Sequence, residues 1–208
     1  MSYSVREIFF TLQGEGANVG RAAVFCRFSG CNLWSGRESD RQSAICNFCD
    51  TDFVGTGADG GRFTTAEELV AEIDLRWGGD DRKFIVLTGG EPMLQVDDLL
   101  IRELHHHGFE VAIETNGTLP VPRTIDWICV SPKGTSDIVV RAGNELKLVY
   151  PQQEAMPDRF ASWPFDHFFL QPMDSPEKEQ NIASTIEYCM THPKWRLSMQ
   201  THKALGIR

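Results

Sequence analysis

Short apolar runs that stop at small or polar residues recur along the chain and alternate with helix-patterned segments. Strands are predicted at Ala22–Phe28, Phe84–Leu87, Phe109–Glu114, Asp126–Val130, Glu145–Tyr150, His167–Gln171 and Trp195–Thr201. Between them, Thr64–Trp77 carries Ala66, Leu69, Val70, Ile73 and Trp77 on one helical face, with Thr64 and Glu67 as a capping box. A second helix runs from about Asp97 to His107 with Gly108 at its C-cap, and a third from Ser175–Pro176 to about Met190, before Pro193. Strand–helix alternation implies right-handed crossovers and a mostly parallel sheet. Several connections are too short to hold a helix, so the fold class is α/β and a complete eight-fold barrel would not fit. In such sheets ligand chemistry gathers at the C-terminal strand ends. The clusters there are Gly30-Cys31, Thr88–Glu91, Glu114–Asn116, Ser131–Lys133 and Gln171–Asp174.

The 208 residues suit one domain spanning 1–208, and 41% hydrophobic with 24% charged residues excludes wholesale disorder. The longest apolar run, Ala22–Cys26, is far short of the roughly 20 residues that span a bilayer, so no membrane association is expected. Met1–Phe10 lacks the apolar region of a signal peptide, which points to the cytoplasm. A net charge of −9 without a Lys/Arg tract argues against nucleic acid. In a reducing compartment six cysteines suggest metal or catalysis more than disulfides.

Cys31, Cys46 and Cys49 form C-x14-C-x2-C within one irregular segment, a soft donor set for zinc or an iron–sulfur cluster. Cys26, Cys129 and Cys189 sit in apolar elements and read as core residues. Structural zinc closes with four protein ligands, and no histidine lies near the loop; His105–His107 ends a helix, where imidazolium complements the dipole. Three thiolates on a four-iron cluster leave one iron open to an external ligand.

Three clustered cysteines with Phe48 before the last, followed after a strand by Gly89-Gly90-Glu91-Pro92, resemble the radical S-adenosylmethionine superfamily, whose usual spacing is C-x3-C-x2-C. FTLQGEG at Phe10–Gly16, CRFSGCNLW at Cys26–Trp34, CDTDFVG at Cys49–Gly55, TGGEPMLQ at Thr88–Gln95, ETNGT at Glu114–Thr118, SPK at Ser131–Lys133 and QPMD at Gln171–Asp174 narrow it. Together they resemble the 7-carboxy-7-deazaguanine synthase family along nearly the whole chain. The resemblance implies a modified, incomplete (β/α) barrel of the radical S-adenosylmethionine type, with the cluster-binding loop at 31–49. It further implies a [4Fe-4S] cluster on Cys31, Cys46 and Cys49, S-adenosylmethionine, and Mg²⁺ at Thr51. The implied substrate is 6-carboxy-5,6,7,8-tetrahydropterin, contracted to a deazaguanine with loss of ammonia.

By the same resemblance, Phe48, Cys49, Asp50, Gly90, Glu91, Ser131, Pro132, Lys133, Gln171, Pro172, Met173 and Asp174 would meet the S-adenosylmethionine. Glu91 would accept from its ammonium, while Pro132 and Pro172 serve chiefly as strand stops. Leu12, Gln13, Gly14, Glu15, Arg27, Thr88, His202 and Arg208 would meet the pterin. Arg27 is a charge in an apolar strand that needs a carboxylate, from the substrate or from the protein. Glu15 and the Arg208 carboxylate compete for the pterin's N–H edge. A flavodoxin or ferredoxin donor and a homodimer complete the expectation. The rivals are a glycyl-radical-activating enzyme, which would not need FTLQGEG, and a zinc-stabilised binding module.

Overall fold

One mixed sheet organises residues 2–208, which a computed structural model describes. Its strands are β1 (Tyr3–Leu12), β2 (Ala22–Phe28), β3 (Gly61–Phe63), β4 (Phe84–Gly89), β5 (Glu110–Thr115), β6 (Trp127–Val130), β7 (Gly143–Tyr150), β8 (Phe165–Pro172) and β9 (Arg196–Leu197). They lie in the order β3-β1-β2-β4-β5-β6-β7-β8-β9. From β2 through β9 every pairing is parallel; β1 runs antiparallel to both β2 and β3. The helices are α1 (Ala66–Arg76), α2 (Asp98–His106), α3 (Lys178–Thr191) and α4 (Thr201–Leu205). No α-helix joins β5 to β6, β6 to β7 or β7 to β8, so the barrel is incomplete, as the short connections required. Among the described residues no helix is long and apolar enough to cross a membrane.

The chain departs from the expected elements at both ends. β1 was not anticipated, because the register shift between Val5 and Glu7 breaks the alternation that marks a strand. The predicted strand Trp195–Thr201 keeps only Arg196–Leu197; Ser198 turns inward to accept from the Gly16 N–H at 2.9 Å, and α4 follows. The α1 cap sits one residue later than expected, with Thr65 Oγ1 accepting from Glu68 N at 3.2 Å. At α2 the expected Asp97 caps Leu100 N at 3.0 Å, and Gly108 takes a left-handed φ of 81° after it.

Period-two alternation separates the faces of the sheet. On the outer face Val24, Cys26, Ile85, Leu87, Val111 and Ile113 pack against Leu69, Val70, Ile73, Leu100, Ile101 and Leu104 of α1 and α2. Burying each such side chain contributes about 1.5–3 kcal/mol. Leu146, Leu148 and Leu170 of the other half pack with Phe160, Phe165 and Trp195. The inner face is apolar only at its base, where Ala23, Phe84, Val86 and Ala112 meet Phe25 and Trp127. Two residues further along the same strands it becomes polar: Arg27 pairs in register with Thr88, and Glu114 with Cys129. Cys129 is buried, as expected of a core residue, and its thiol donates to Glu145 Oε1 at 3.6 Å.

Candidate active site

A cavity of about 360 Å³ opens at the C-terminal strand ends. It gathers nearly every residue the motifs singled out, among them Leu12, Gln13, Gly14, Glu15, Arg27, Thr88, His202 and Arg208. Cys31, Cys46, Phe48, Cys49, Asp50, Thr51, Gly90, Ser131, Lys133, Gln171, Pro172, Met173 and Asp174 supply the rest.

The cysteine loop leaves β2 and is drawn back against β4. Gly90 N donates to Phe28 O at 3.2 Å and Glu91 N to Gly30 O at 2.9 Å. A Cβ on Gly90 would lie 2.1 Å from Gly30 O and 2.9 Å from the Cys31 Cβ. A Cβ on Gly89, at φ 135°, would lie 2.2 Å from Phe28 O. Gly89-Gly90 therefore lets two loops touch at backbone distance and seats Cys31. Burial pushes the Cys31 thiol up, while a hydrogen bond from Cys46 holds Cys49 down at about 6. Arg41 fixes the loop by donating to the Asn47 and Cys49 carbonyls, each at 3.0 Å.

The three thiols are soft donors lining one space, a donor set that suits an iron–sulfur cluster.

Two expected contacts are corrected. The Glu91 carboxylate does not face the cavity; it is fully buried and accepts from Thr115 Oγ1 at 2.8 Å, Asn116 N at 2.8 Å and Met93 N at 3.0 Å. Burial raises its pKa despite these donors. It staples the end of β4 to the end of β5 from outside the cavity lining. Pro132 also lies outside the lining, and its carbonyl accepts from Gln152 Nε2 at 3.3 Å.

The carboxylate partner of Arg27 is in place: its Nε is 2.8 Å from Glu7 Oε1. Glu7 in turn meets the Arg208 guanidinium at 2.9 Å, which also pairs with Asp59 at 2.8 Å. Only the Arg27 Nε is engaged by Glu7, which leaves terminal N–H donors at the cavity. His202 stacks so closely on the loop after β1 that a Cβ on Gly14 would lie 2.4 Å from its Nδ1. Burial lowers the His202 pKa and favours the neutral ring.

Glu15 is held from three directions. Lys147 Nζ lies 2.9 Å from its Oε2, and Gln171 and Gln200 amides each donate to Oε1 at 3.1 Å. Burial opposes its charge, but Lys147 and Gln200 overcome that and hold the carboxyl at about 2. Asp50 and Asp174 are bridged by Lys203 Nζ, at 2.7 and 2.5 Å, across the cavity mouth. Lys147, Gln200, Lys203 and Glu7 were missed from sequence. The alternating E-L-K-L of Glu145–Leu148 was the available signal for Lys147, since it sets Glu145 and Lys147 on the face opposite two leucines.

Residues 43–147 match the radical SAM superfamily. The chain is 63% identical over 210 residues to the 7-carboxy-7-deazaguanine synthase of Bradyrhizobium diazoefficiens, and 60% identical over 209 residues to that of Caulobacter vibrioides, with 100% of both chains covered each time. Its fold resembles the crystal structure of QueE from Escherichia coli with a TM-score of 0.72 and 28% identity, over 96% of this chain and 94% of that one. A cysteine loop seated on a Gly-Gly-Glu strand end, in a chain matched from end to end at this identity, leaves no other assignment: the chain belongs to the 7-carboxy-7-deazaguanine synthase family of radical S-adenosylmethionine enzymes.

Proposed function

We propose that this chain binds 6-carboxy-5,6,7,8-tetrahydropterin beside a [4Fe-4S] cluster and S-adenosylmethionine, and converts it to 7-carboxy-7-deazaguanine with loss of ammonia. The observation that carries the reading is one cavity lined both by the three thiols and by the Gln13–Glu15 loop. When bound, the cluster and S-adenosylmethionine supply one-electron cleavage and a radical that takes and returns a substrate hydrogen. The chain itself supplies the walls. Cys31, Cys46 and Cys49 would hold three irons and leave the fourth to the methionyl group. Phe48, Asp50, Ser131, Lys133, Gln171, Met173 and Asp174 line the space left for the nucleoside, and Gly90 keeps the backbone close.

On the substrate side, ionised Glu15 and the Gln13 amide suit the N–H edge of a pterin. The free N–H donors of Arg27 suit its carboxylate, with Thr88, His202, Leu12, Gly14 and Arg208 closing that wall. Thr51 offers one hydroxyl between Asp50 and Asp52, the sparse protein contribution that Mg²⁺ accepts when its ligand supplies further oxygens. A single-electron donor such as a flavodoxin or ferredoxin, a homodimeric assembly and a cytoplasmic location belong to the same reading; six unpaired cysteines suit a reducing compartment.

The test is anaerobic reconstitution with iron, sulfide, S-adenosylmethionine, reductant, Mg²⁺ and the pterin, with mass spectrometry of the product. The deazaguanine carboxylate is expected. Full cluster loading and cofactor cleavage without that product would overturn the substrate assignment.

A further inference from the structure

We infer that Lys147 is a positioning residue, holding Glu15 ionised and aimed into the half of the cavity assigned to the pterin; the inference rests on that substrate reading. Lys147 is on β7, inside the sheet, with only 6% of its side chain exposed. Its ammonium touches two carboxylates from different elements, Glu15 Oε2 at 2.9 Å from the loop after β1 and Glu114 Oε2 at 3.1 Å from β5. Both carboxylates line the cavity.

A buried ammonium is costly, and replacing buried ion pairs by apolar residues is often neutral or stabilising. The inner face below is already apolar, so packing alone would be served by a leucine here. What a leucine could not supply is the charge that keeps the buried Glu15 ionised.

Every titratable group facing this ammonium enters the balance. Glu15 and Glu114 touch it, Cys129 of β6 and Glu145 of β7 lie beside it, and His202 of α4 faces Glu15. Burial raises the Glu145 pKa, and its Oε2 accepts from Ala17 N at 3.0 Å. Through that bond Glu145 clamps the loop after β1 while Lys147 serves Glu15 and Glu114. One ammonium shared between the carboxylates of Glu15 and Glu114 leaves an excess of acceptor oxygens at the cavity wall. That excess favours a ligand edge rich in N–H donors over one rich in acceptors.

The test uses Lys147→Met in the reconstituted enzyme, with iron content confirming loading. In the wild type, kcat/KM should show no acid limb from Glu15 above about pH 5. In Lys147→Met, Glu15 stays buried without its cation, so kcat/KM should fall about 10- to 150-fold near neutral pH, with an acid limb that recovers as pH rises. In a Glu15→Gln background the same change should cost under about threefold, because its route is already removed.

A second readout needs no turnover. Infrared difference spectra between Lys147→Met and Lys147→Met/Glu15→Gln should show a protonated carboxyl at about pH 5, absent from the corresponding difference for wild type against Glu15→Gln. If Lys147→Met does not fold, Lys147→Gln, which keeps an N–H donor without charge, carries the same measurements. A Glu15 that stays ionised without Lys147, or an equal loss in the Glu15→Gln background, overturns the inference. Failure of the wild type to make the deazaguanine sinks the substrate reading instead, and the infrared arm still decides the role of Lys147.

Discussion

Glu91→Gln separates an anchoring carboxylate from a ligand-binding one. The carboxylate accepts three hydrogen bonds, two on Oε1 and one, from Asn116 N, on Oε2. An amide oxygen can replace Oε1, but the amide nitrogen then faces the Asn116 N–H as donor against donor. The loss is one charge-assisted hydrogen bond, about 1.5–3 kcal/mol, plus an unpaired buried N–H, about 1–3 kcal/mol. Gln carries no charge to desolvate, and burial already raises the Glu91 pKa, so the lower part of that range applies. A loss of about 3 kcal/mol should lower Tm by about 6–12 °C for a chain of this size. Thermal unfolding of the cluster-free protein measures it, with S-adenosylmethionine affinity of the reconstituted enzyme as the companion. Were the carboxylate a direct contact to the ammonium, affinity would fall while the cluster-free Tm stayed within about 2 °C of wild type. That pair of results would refute the anchoring role.

Cys31→Ala, Cys46→Ala and Cys49→Ala should each lose iron, sulfide and the cluster's EPR signal, while Cys26→Ala, Cys129→Ala and Cys189→Ala keep them; normal iron loading in Cys46→Ala would contradict the ligand set. Thr51→Ala should raise the Mg²⁺ concentration for half-maximal activity by up to about tenfold, since water replaces a lost hydroxyl, and leave iron content unchanged. An unaltered Mg²⁺ dependence would remove Thr51 from the metal. Gly14→Ala puts a Cβ 2.4 Å from His202 Nδ1, so the ring must shift, and KM for the pterin should rise with S-adenosylmethionine affinity intact. Unchanged KM would show that the His202 ring position does not matter.

The parallel strands were legible because Phe84–Leu87 and Ala22–Cys26 are continuous apolar runs, and α2 because it starts where expected, at its Asp97 cap; α3 instead starts at Lys178, past the expected Ser175–Pro176, without a side-chain cap. The site was legible wherever a motif sits on one strand end, as with Cys31, Gly90 and Ser131. It was opaque where function depends on distant partners. Glu91 looked like a ligand until Asn116 and Thr115 supplied its donors from another strand. Arg27 needed a carboxylate, but nothing in the sequence named Glu7, twenty positions earlier across an antiparallel pair. Lys147 and Gln200 acquire meaning only once β7 and the segment before α4 are folded beside residue 15.

The ties between the loop after β1 and the segment around α4 also order events during synthesis. Gly14 O accepts from Thr201 N at 3.0 Å, Gly16 N donates to Ser198 Oγ, and Glu15 takes Gln200 across a separation of 185 residues. At about 5–20 residues per second a ribosome needs roughly 10–40 s to bridge that interval. The contacts that seat the cysteine loop, Gly90 on Phe28 and Glu91 on Gly30, span far less chain and close much earlier. During translation the cysteine loop can therefore close against β4 first, and the junction of residues 14–16 with 198–201 is among the last to set.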